Sequence, residues 1–186
     1  SEHIENAGIH SGDATSVIPA QRVYSETSRQ IKNAAKKIAL HLKLNGPFNI
    51  QFLAKDNKIQ VIECNARAAR TLPFVSKVIG VDLAKQATKV MIGKETTVNI
   101  AHPDELNHVG VKAAMFSFSR LKGADPIAHV EMSSTGEVGC IGENFSEALL
   151  LALESTNIHP PKKGVLVSAG TTKDKVKFLR IKNIQF

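Results

Sequence analysis

A chain of 186 residues with 42% hydrophobic content can bury a sizeable core and form one large domain or one and a half small ones. Its longest apolar runs are far shorter than the roughly 20 residues that cross a bilayer, so we predict no membrane span and no membrane partner. A net charge of +7 is compatible with binding to nucleic acid, but the basic residues are scattered among acidic ones. We therefore predict a solvated basic surface and no nucleic-acid partner.

Helical spacing first appears in residues 25–44, and Gly46-Pro47 is expected to end that helix. Two strand-like runs follow, residues 48–54 and 59–65, and the Asp56-Asn57 pair between them favours the tight turn of a hairpin. A second helix is predicted over residues 82–92, since Gly93 stands just past its last apolar position. For the first half of the chain we therefore predict a helix, a β-hairpin and a second helix, in that order.

The later part of the chain predicts further strands and a domain boundary. After a polar loop over residues 94–107, the pattern predicts strands at 109–118 and 128–132 and a helix at 146–155. Pro160 to Gly164 is typical of a linker, and residues 164–168 resemble a buried strand that leads into a helix. We therefore predict a first domain over 1–159, a linker over 160–164, and the start of a second α/β unit over 165–186. The two cysteines, Cys64 and Cys140, lie in separate apolar runs, which indicates reduced thiols in a cytoplasmic protein.

Polar residues gather at the end of the predicted hairpin. Glu63 and Asn65 lie two positions apart on a strand, so their side chains point to the same face. A three-residue loop, 56–58, would place Gln51 opposite Glu63, whereas a two-residue loop would turn Gln51 to the other face. We predict the three-residue loop, because it gathers one carboxylate and two amides. The alternative is that Glu63 is an edge-strand acid paired with Arg67 or Arg70.

One carboxylate and two amides suit Mg²⁺ that substrate phosphates also hold, because the phosphates supply the remaining negative charge. Arg67, just beyond the strand, could meet a transferring phosphoryl group. A second candidate is the segment from Ala7 to Asp13, where two glycines around His10 and Ser11 let the backbone approach a nucleotide. The alternative is that His10, between glycines, is an ordinary turn residue. No Walker loop, His-Glu-x-x-His, Gly-x-Ser-x-Gly or Cys-x-x-Cys motif occurs, which excludes the commonest hydrolase and zinc sites.

Four stretches carry a specific resemblance: EHIENAGIHSGDA, GPFNIQFLAKDNKIQVIECNARAARTLPFVSKVIGVDLAKQATKVMIGK, FSFSRLKGADP and EMSSTGEVG. Together they resemble the latter part of the second ATP-grasp unit in the large chain of carbamoyl phosphate synthetase. The strand after the Pro160-Pro161 pair is similar to the opening of the family's allosteric, methylglyoxal-synthase-like domain. The resemblance implies an α+β or α/β fold: the C-terminal ATP-grasp subdomain, with an antiparallel sheet and flanking helices, followed by the first β-α of a Rossmann-like domain.

The resemblance also implies an ATP-dependent ligase whose second unit phosphorylates carbamate to carbamoyl phosphate. By position in the family's motifs, the residues expected at the ATP site are Gly8, Ile9, His10, Ser11, Gln51 and Glu63. Gln51, Glu63 and Asn65 are expected to bind Mg²⁺ or Mn²⁺, and Arg67 to act in catalysis. His3, Glu5 and the Ile9 carbonyl fall near the family's K⁺ site.

The implied partners are the rest of the synthetase large chain, a glutamine amidotransferase subunit or domain, and the substrates ATP and bicarbonate or carbamate. The family's glycine-rich phosphate lid has no counterpart in this sequence, so the chain is expected to be a piece of a longer polypeptide and inactive by itself. The alternative is a non-catalytic module, derived from an ATP-grasp unit, with a structural or regulatory role.

Overall fold

Two antiparallel sheets organise the chain in the computed structural model, which describes residues 1–98, 103–117, 123, 127–128, 130–162, 170–171 and 173. The larger sheet has four strands in the order β1-β2-β5-β6. Its strands are β1 (Glu2–His3), β2 (Ser16–Ile18), β5 (Val109–Met115) and β6 (Gly136–Gly142). The smaller sheet is a hairpin of β3 (Asn49–Lys55) and β4 (Lys58–Asn65). The helices are α1 (Ser25–His41), α2 (Thr71–Ile79), α3 (Leu83–Met91) and α4 (Phe145–Ser155), and a short 3₁₀ helix covers Pro103–Glu105.

Strand β5 divides the larger sheet into two differently covered faces. Val111 and Ala113 point to one face, where they form a buried cluster with Ala148 and Ala152 of α4. Gly110 and Lys112 alternate with them and therefore face the other side. There α2 packs on the sheet through Phe74 and Val78, which form a second buried cluster with Ile18. Lys112, on this same face, lines the cleft that contains the candidate site.

The hairpin has a two-residue loop, so the predicted three-residue loop is wrong. Lys55 pairs with Lys58, and both loop residues adopt positive φ angles, 51° at Asp56 and 58° at Asn57, as in a type I′ turn. The register nevertheless shifts between Gln51 and Phe52, because Ile62 is an extra residue on β4 and forms a β-bulge. Gln51 is therefore paired with Glu63 as predicted, although a bulge and not the loop sets the register.

Several other elements differ from the sequence prediction. The stretch 128–132 forms no strand in its described residues, and Val130 and Met132 are 73% and 51% exposed, so no sheet partner buries them. The first helix ends at His41, three residues before the predicted end at Leu44. Helix α2 and strands β1, β2 and β6 were not predicted from the sequence. The three strands give a weak sequence signal because they are short or rich in glycine. The predicted strand over 164–168 and the helix after it lie outside the described residues, so that second unit stays a prediction.

The hairpin turn is tied to the first helix by one buried hydroxyl. Thr27, which is 4% exposed, donates from Oγ1 to Asn57 Oδ1 over 2.7 Å. We expect Thr27→Val to lower the free energy of unfolding of the chain by about 1 kcal/mol, because the valine keeps the shape but loses this hydrogen bond. Thr27→Ser keeps the hydroxyl and should lose less. Urea unfolding of the three proteins measures the difference; equal stability of wild type and the valine variant would show that the bond contributes nothing.

Candidate functional site

Four polar side chains form one hydrogen-bonded cluster at the end of the hairpin. Gln51 Nε2 donates to Glu63 Oε1 over 2.9 Å and to Ser11 Oγ over 2.8 Å. Asn65 Nδ2 donates to the same Glu63 oxygen over 2.9 Å. The predicted shared face of Gln51, Glu63 and Asn65 is therefore confirmed. Glu63 is held by two amides, so the alternative in which it pairs with Arg67 or Arg70 does not describe its contacts in the structure.

Ser11 reaches this cluster from a turn that lies between β1 and β2. We call residues 8–13 the His10 turn. Gly12 N donates to His10 Nδ1 over 3.0 Å, and the His10 carbonyl accepts from the amides of Asp13 and Ala14 over 2.9 and 3.0 Å. His10 thus acts within the turn as a local hydrogen-bonding residue. This role is compatible with a nucleotide contact, because the ring's other nitrogen takes no part in these bonds.

The two glycines of the His10 turn serve different purposes. Gly8 has a φ of 108°, which L side chains rarely adopt, and open space surrounds the position where a Cβ would stand. Gly12 is closely surrounded: a Cβ there would strike the Arg70 guanidinium and approach Met132 Sδ and His10 Nδ1 at 3.0 and 3.1 Å. Gly8 therefore leaves the backbone accessible to a ligand, whereas Gly12 permits tight packing beneath the turn.

Asp13 fastens the His10 turn to the segment before β6. Its carboxylate oxygens accept from the amides of Ser133 and Ser134 over 2.8 and 2.9 Å. Burial acts to raise the pKa of Asp13, but the hydrogen bonds from Ser134 and Ser133 outweigh it and hold that pKa below its usual range. A carboxylate held in this way stays ionised, so the clamp persists at neutral pH.

The two arginines after β4 have separate environments. Arg67 is exposed and donates to Asn65 Oδ1 over 3.4 Å and to the Ala68 carbonyl over 3.3 Å. Its guanidinium therefore lies beside the carboxylate and amide cluster. Arg70 also lines the cleft, but its guanidinium lies against Gly12 and donates to Met132 Sδ over 3.0 Å and to Ser134 Oγ over 3.3 Å. Arg67 is thus the arginine that can meet a ligand at the cluster, and Arg70 joins the segment that Asp13 holds.

A cleft of about 1200 Å³ runs between the hairpin, the His10 turn and the larger sheet. Its lining includes every predicted site residue: Gly8, Ile9, His10, Ser11, Gln51, Glu63, Asn65, Arg67, His3 and Glu5. Glu5 accepts the Thr15 amide over 2.8 Å. The pKa of His3 is lowered by burial and by the charge of Lys112, which Glu5 partly opposes. The sequence therefore identified residues of one continuous cleft.

The donor set at the cluster fits a magnesium ion that is shared with phosphate. Glu63 supplies an anionic oxygen, and a half-turn of either amide presents its oxygen where its NH₂ now lies. Hard oxygen donors with a single negative charge suit Mg²⁺ that also binds a polyphosphate. No group of three His, Cys, Asp or Glu residues with metal-binding geometry occurs in the described part of the chain.

Two charged residues near the site were not among the residues predicted from the sequence. Lys112, only 1% exposed, donates from Nζ to the carbonyls of Ser11 and Gly12 over 3.2 and 3.4 Å. Glu137 Oε2 lies 3.4 Å from the same nitrogen. A single lysine inside the apolar strand 109–115 is the signal that could have identified this position.

Comparison with known proteins identifies relatives of this chain. Residues 2–98 match the family model described as carbamoyl-phosphate synthase L chain, ATP binding domain. The chain is 54% identical over 179 residues to the multifunctional protein pyrABCN of Emericella nidulans, covering 96% of this chain and 8% of that protein. It is 49% identical over 174 residues to the human mitochondrial carbamoyl-phosphate synthase [ammonia], covering 90% of this chain and 12% of that protein. The chain thus spans only a small part of these curated relatives.

Solved structures with a similar fold include the ADP complex of PurK, an N5-carboxyaminoimidazole ribonucleotide synthetase. The TM-score is 0.58 at 20% identity, over 81% of this chain and 43% of that one. This similarity concerns the fold, and it supports the predicted ATP-grasp arrangement of antiparallel sheets with flanking helices. Among the described residues, no helix is both long enough and apolar enough to cross a membrane.

Proposed function

The chain belongs to the family of carbamoyl-phosphate synthase L chain ATP-binding domains, and from that premise we propose that it forms part of the site where ATP phosphorylates carbamate to carbamoyl phosphate. The observation that carries the proposal is the cluster in which Ser11, Gln51, Glu63 and Asn65 are joined by hydrogen bonds. It connects the His10 turn to the hairpin in the lining of a cleft large enough for a nucleotide.

Each part of the cluster has a role in this reaction. Glu63, with the amide oxygens of Gln51 and Asn65, would hold Mg²⁺ or Mn²⁺, which neutralises phosphate charge when bound. The exposed guanidinium of Arg67, beside Asn65, is suited to the charge that develops on the transferring phosphoryl group. The backbone from Gly8 to Ser11 would contact the nucleotide, since the open space at Gly8 permits close approach.

The proposal includes finer expectations. His3, Glu5 and the Ile9 carbonyl would form a K⁺ site, which their shared place in the cleft supports. The remaining parts of a synthetase large chain, and a glutamine amidotransferase subunit or domain, are the proposed partners, in keeping with the much longer relatives. A cytoplasmic location is supported by the free cysteines Cys64 and Cys140, although the human relative is named mitochondrial.

The reverse partial reaction tests the proposal. We expect the complete polypeptide to make ATP from carbamoyl phosphate and ADP in the presence of Mg²⁺ and K⁺. The 186-residue chain alone should bind Mg-ATP weakly at most and release no ADP, because the cluster and the His10 turn would cover bound phosphates from one side only and would not exclude water. A complete polypeptide without this reaction would favour the non-catalytic module. Robust ADP release by the chain alone, abolished by Glu63→Ala, would contradict the expected need for an opposing lid.

A further inference from the structure

A lysine buried under the candidate site makes contacts that the proposed reaction does not use. Lys112 lies in the middle of β5, opposite Ser16 of β2, and its side chain is among the largest that are fully buried. Burying an ammonium group is unfavourable unless it is paired and hydrogen-bonded. The ammonium nitrogen of Lys112 meets this condition, because it donates to two backbone carbonyls of the His10 turn and pairs with the carboxylate of Glu137.

The two carbonyls belong to Ser11 and Gly12, and this determines what the lysine can influence. The Ser11 hydroxyl is the acceptor for Gln51, and Gln51 in turn contacts Glu63. A continuous path of hydrogen bonds therefore runs from Lys112 through the Ser11 residue to the proposed metal ligands. The larger sheet supplies the lysine and the hairpin supplies Gln51 and Glu63, so the path also joins the two sheets.

We propose that Lys112 is a positioning residue, which holds the His10 turn through the Ser11 and Gly12 carbonyls so that the Ser11 hydroxyl meets Gln51 at the phosphate end of the cleft. The geometry favours this role over a simple ion pair. An ion pair with Glu137 alone would not require the nitrogen to contact the turn, yet Nζ also donates to the carbonyls of Ser11 and Gly12. Burial lowers the pKa of Lys112, because it disfavours the charged ammonium group, and the negative charge of Glu137 opposes that shift.

Hydrogen exchange of the complete polypeptide tests the proposal without reference to activity. In Lys112→Met, which removes the ammonium group and keeps an unbranched side chain one atom shorter, the amides of Gly12, Asp13 and Ala14 should exchange at least about tenfold faster, because the turn loses its anchor. The β3–β4 hairpin amides should keep their rates. The matched control is Lys58→Met, which alters an exposed lysine of β4 and should change none of these rates. If the methionine variant does not fold, Lys112→Gln takes its place with the same expected direction.

Glu137→Gln separates the two kinds of contact that the lysine makes, the ion pair and the two carbonyl hydrogen bonds. It removes the negative partner but leaves the bonds to Ser11 and Gly12, so turn exchange should stay within about twofold of wild type. Equal loosening in Glu137→Gln and Lys112→Met would overturn the proposal, because the ion pair and not the carbonyl contact would then hold the turn. Unchanged turn exchange in folded Lys112→Met would overturn it as well.

A double-mutant cycle links the lysine to the site, and this part rests on the proposed function. Ser11→Ala and Lys112→Met should each lower the rate of ATP synthesis from carbamoyl phosphate by about tenfold, and the double variant should be no slower than the slower single variant. Multiplying effects would show that Lys112 does not act through Ser11. If wild type makes no ATP while exchange changes as expected, the proposed function fails and the positioning role stands.

Discussion

Replacing Glu63 by alanine should lower the rate of carbamoyl phosphate formation by the complete polypeptide about 1000-fold, while weakening ATP binding only about tenfold. Glu63 is the one carboxylate in the cluster, and both amides donate to its Oε1. Charge on the phosphoryl group matters most in the transition state, so loss of the carboxylate that is proposed to hold a divalent cation should affect turnover more than affinity. Steady-state kinetics and calorimetric ATP binding measure the two quantities separately.

Two further variants make this test specific. Glu63→Gln keeps the size of the side chain and removes its charge, so it should be nearly as slow as Glu63→Ala. Glu26→Gln is the matched control, because Glu26 is an exposed residue of α1 whose partners are Arg29 and Gln30, away from the cluster. The proposed role is wrong if Glu63→Ala still makes ATP from carbamoyl phosphate and ADP at the wild-type rate.

Gly110→Ala should lower the free energy of unfolding of the chain by about 1 to 3 kcal/mol and its melting temperature by several degrees. A Cβ at Gly110 would strike Val78 Cγ2 and would lie 3.1 Å from its Cγ1 and 3.2 Å from its Cβ. Val78 is 1% exposed and β-branched, so it has no free rotamer into which to move. Helix α2 would therefore have to shift away from β5. Calorimetry or urea unfolding of the chain measures the loss.

Gly136→Ala provides the control for this prediction. Gly136 lies at the start of β6, and no atom stands within 4 Å of the position where its Cβ would be. That substitution should be neutral or slightly stabilising, since alanine restricts the unfolded chain. Adding Val78→Ala to Gly110→Ala should cost less than the sum of the two single changes, because the smaller side chain makes room for the new methyl group. Full wild-type stability of Gly110→Ala would refute the close packing of α2 on β5.

Local sequence patterns accounted for much of the first half of the fold. The apolar spacing of α1 and α3, the Asp56-Asn57 turn and the two hairpin strands depend on residues near one another in the chain, so the sequence alone was enough to predict them. Asp82 illustrates this, since it accepts the Lys85 amide over 2.9 Å and begins α3 where the pattern placed that start. The pattern at 128–132 was equally strand-like, yet the described residues of this stretch form no strand and Val130 is exposed.

The sequence by itself determined that a carboxylate and an amide lie at the end of a strand, with an arginine just beyond it. Only the tertiary structure decided how they meet. The bulge at Ile62 brings Gln51 opposite Glu63 despite the two-residue loop, and Lys112 reaches Ser11 from 101 residues away along the chain. Both depend on contacts between elements distant in sequence. Side-chain periodicity describes which face a residue occupies, whereas the packing of sheets and helices selects its partner across that face.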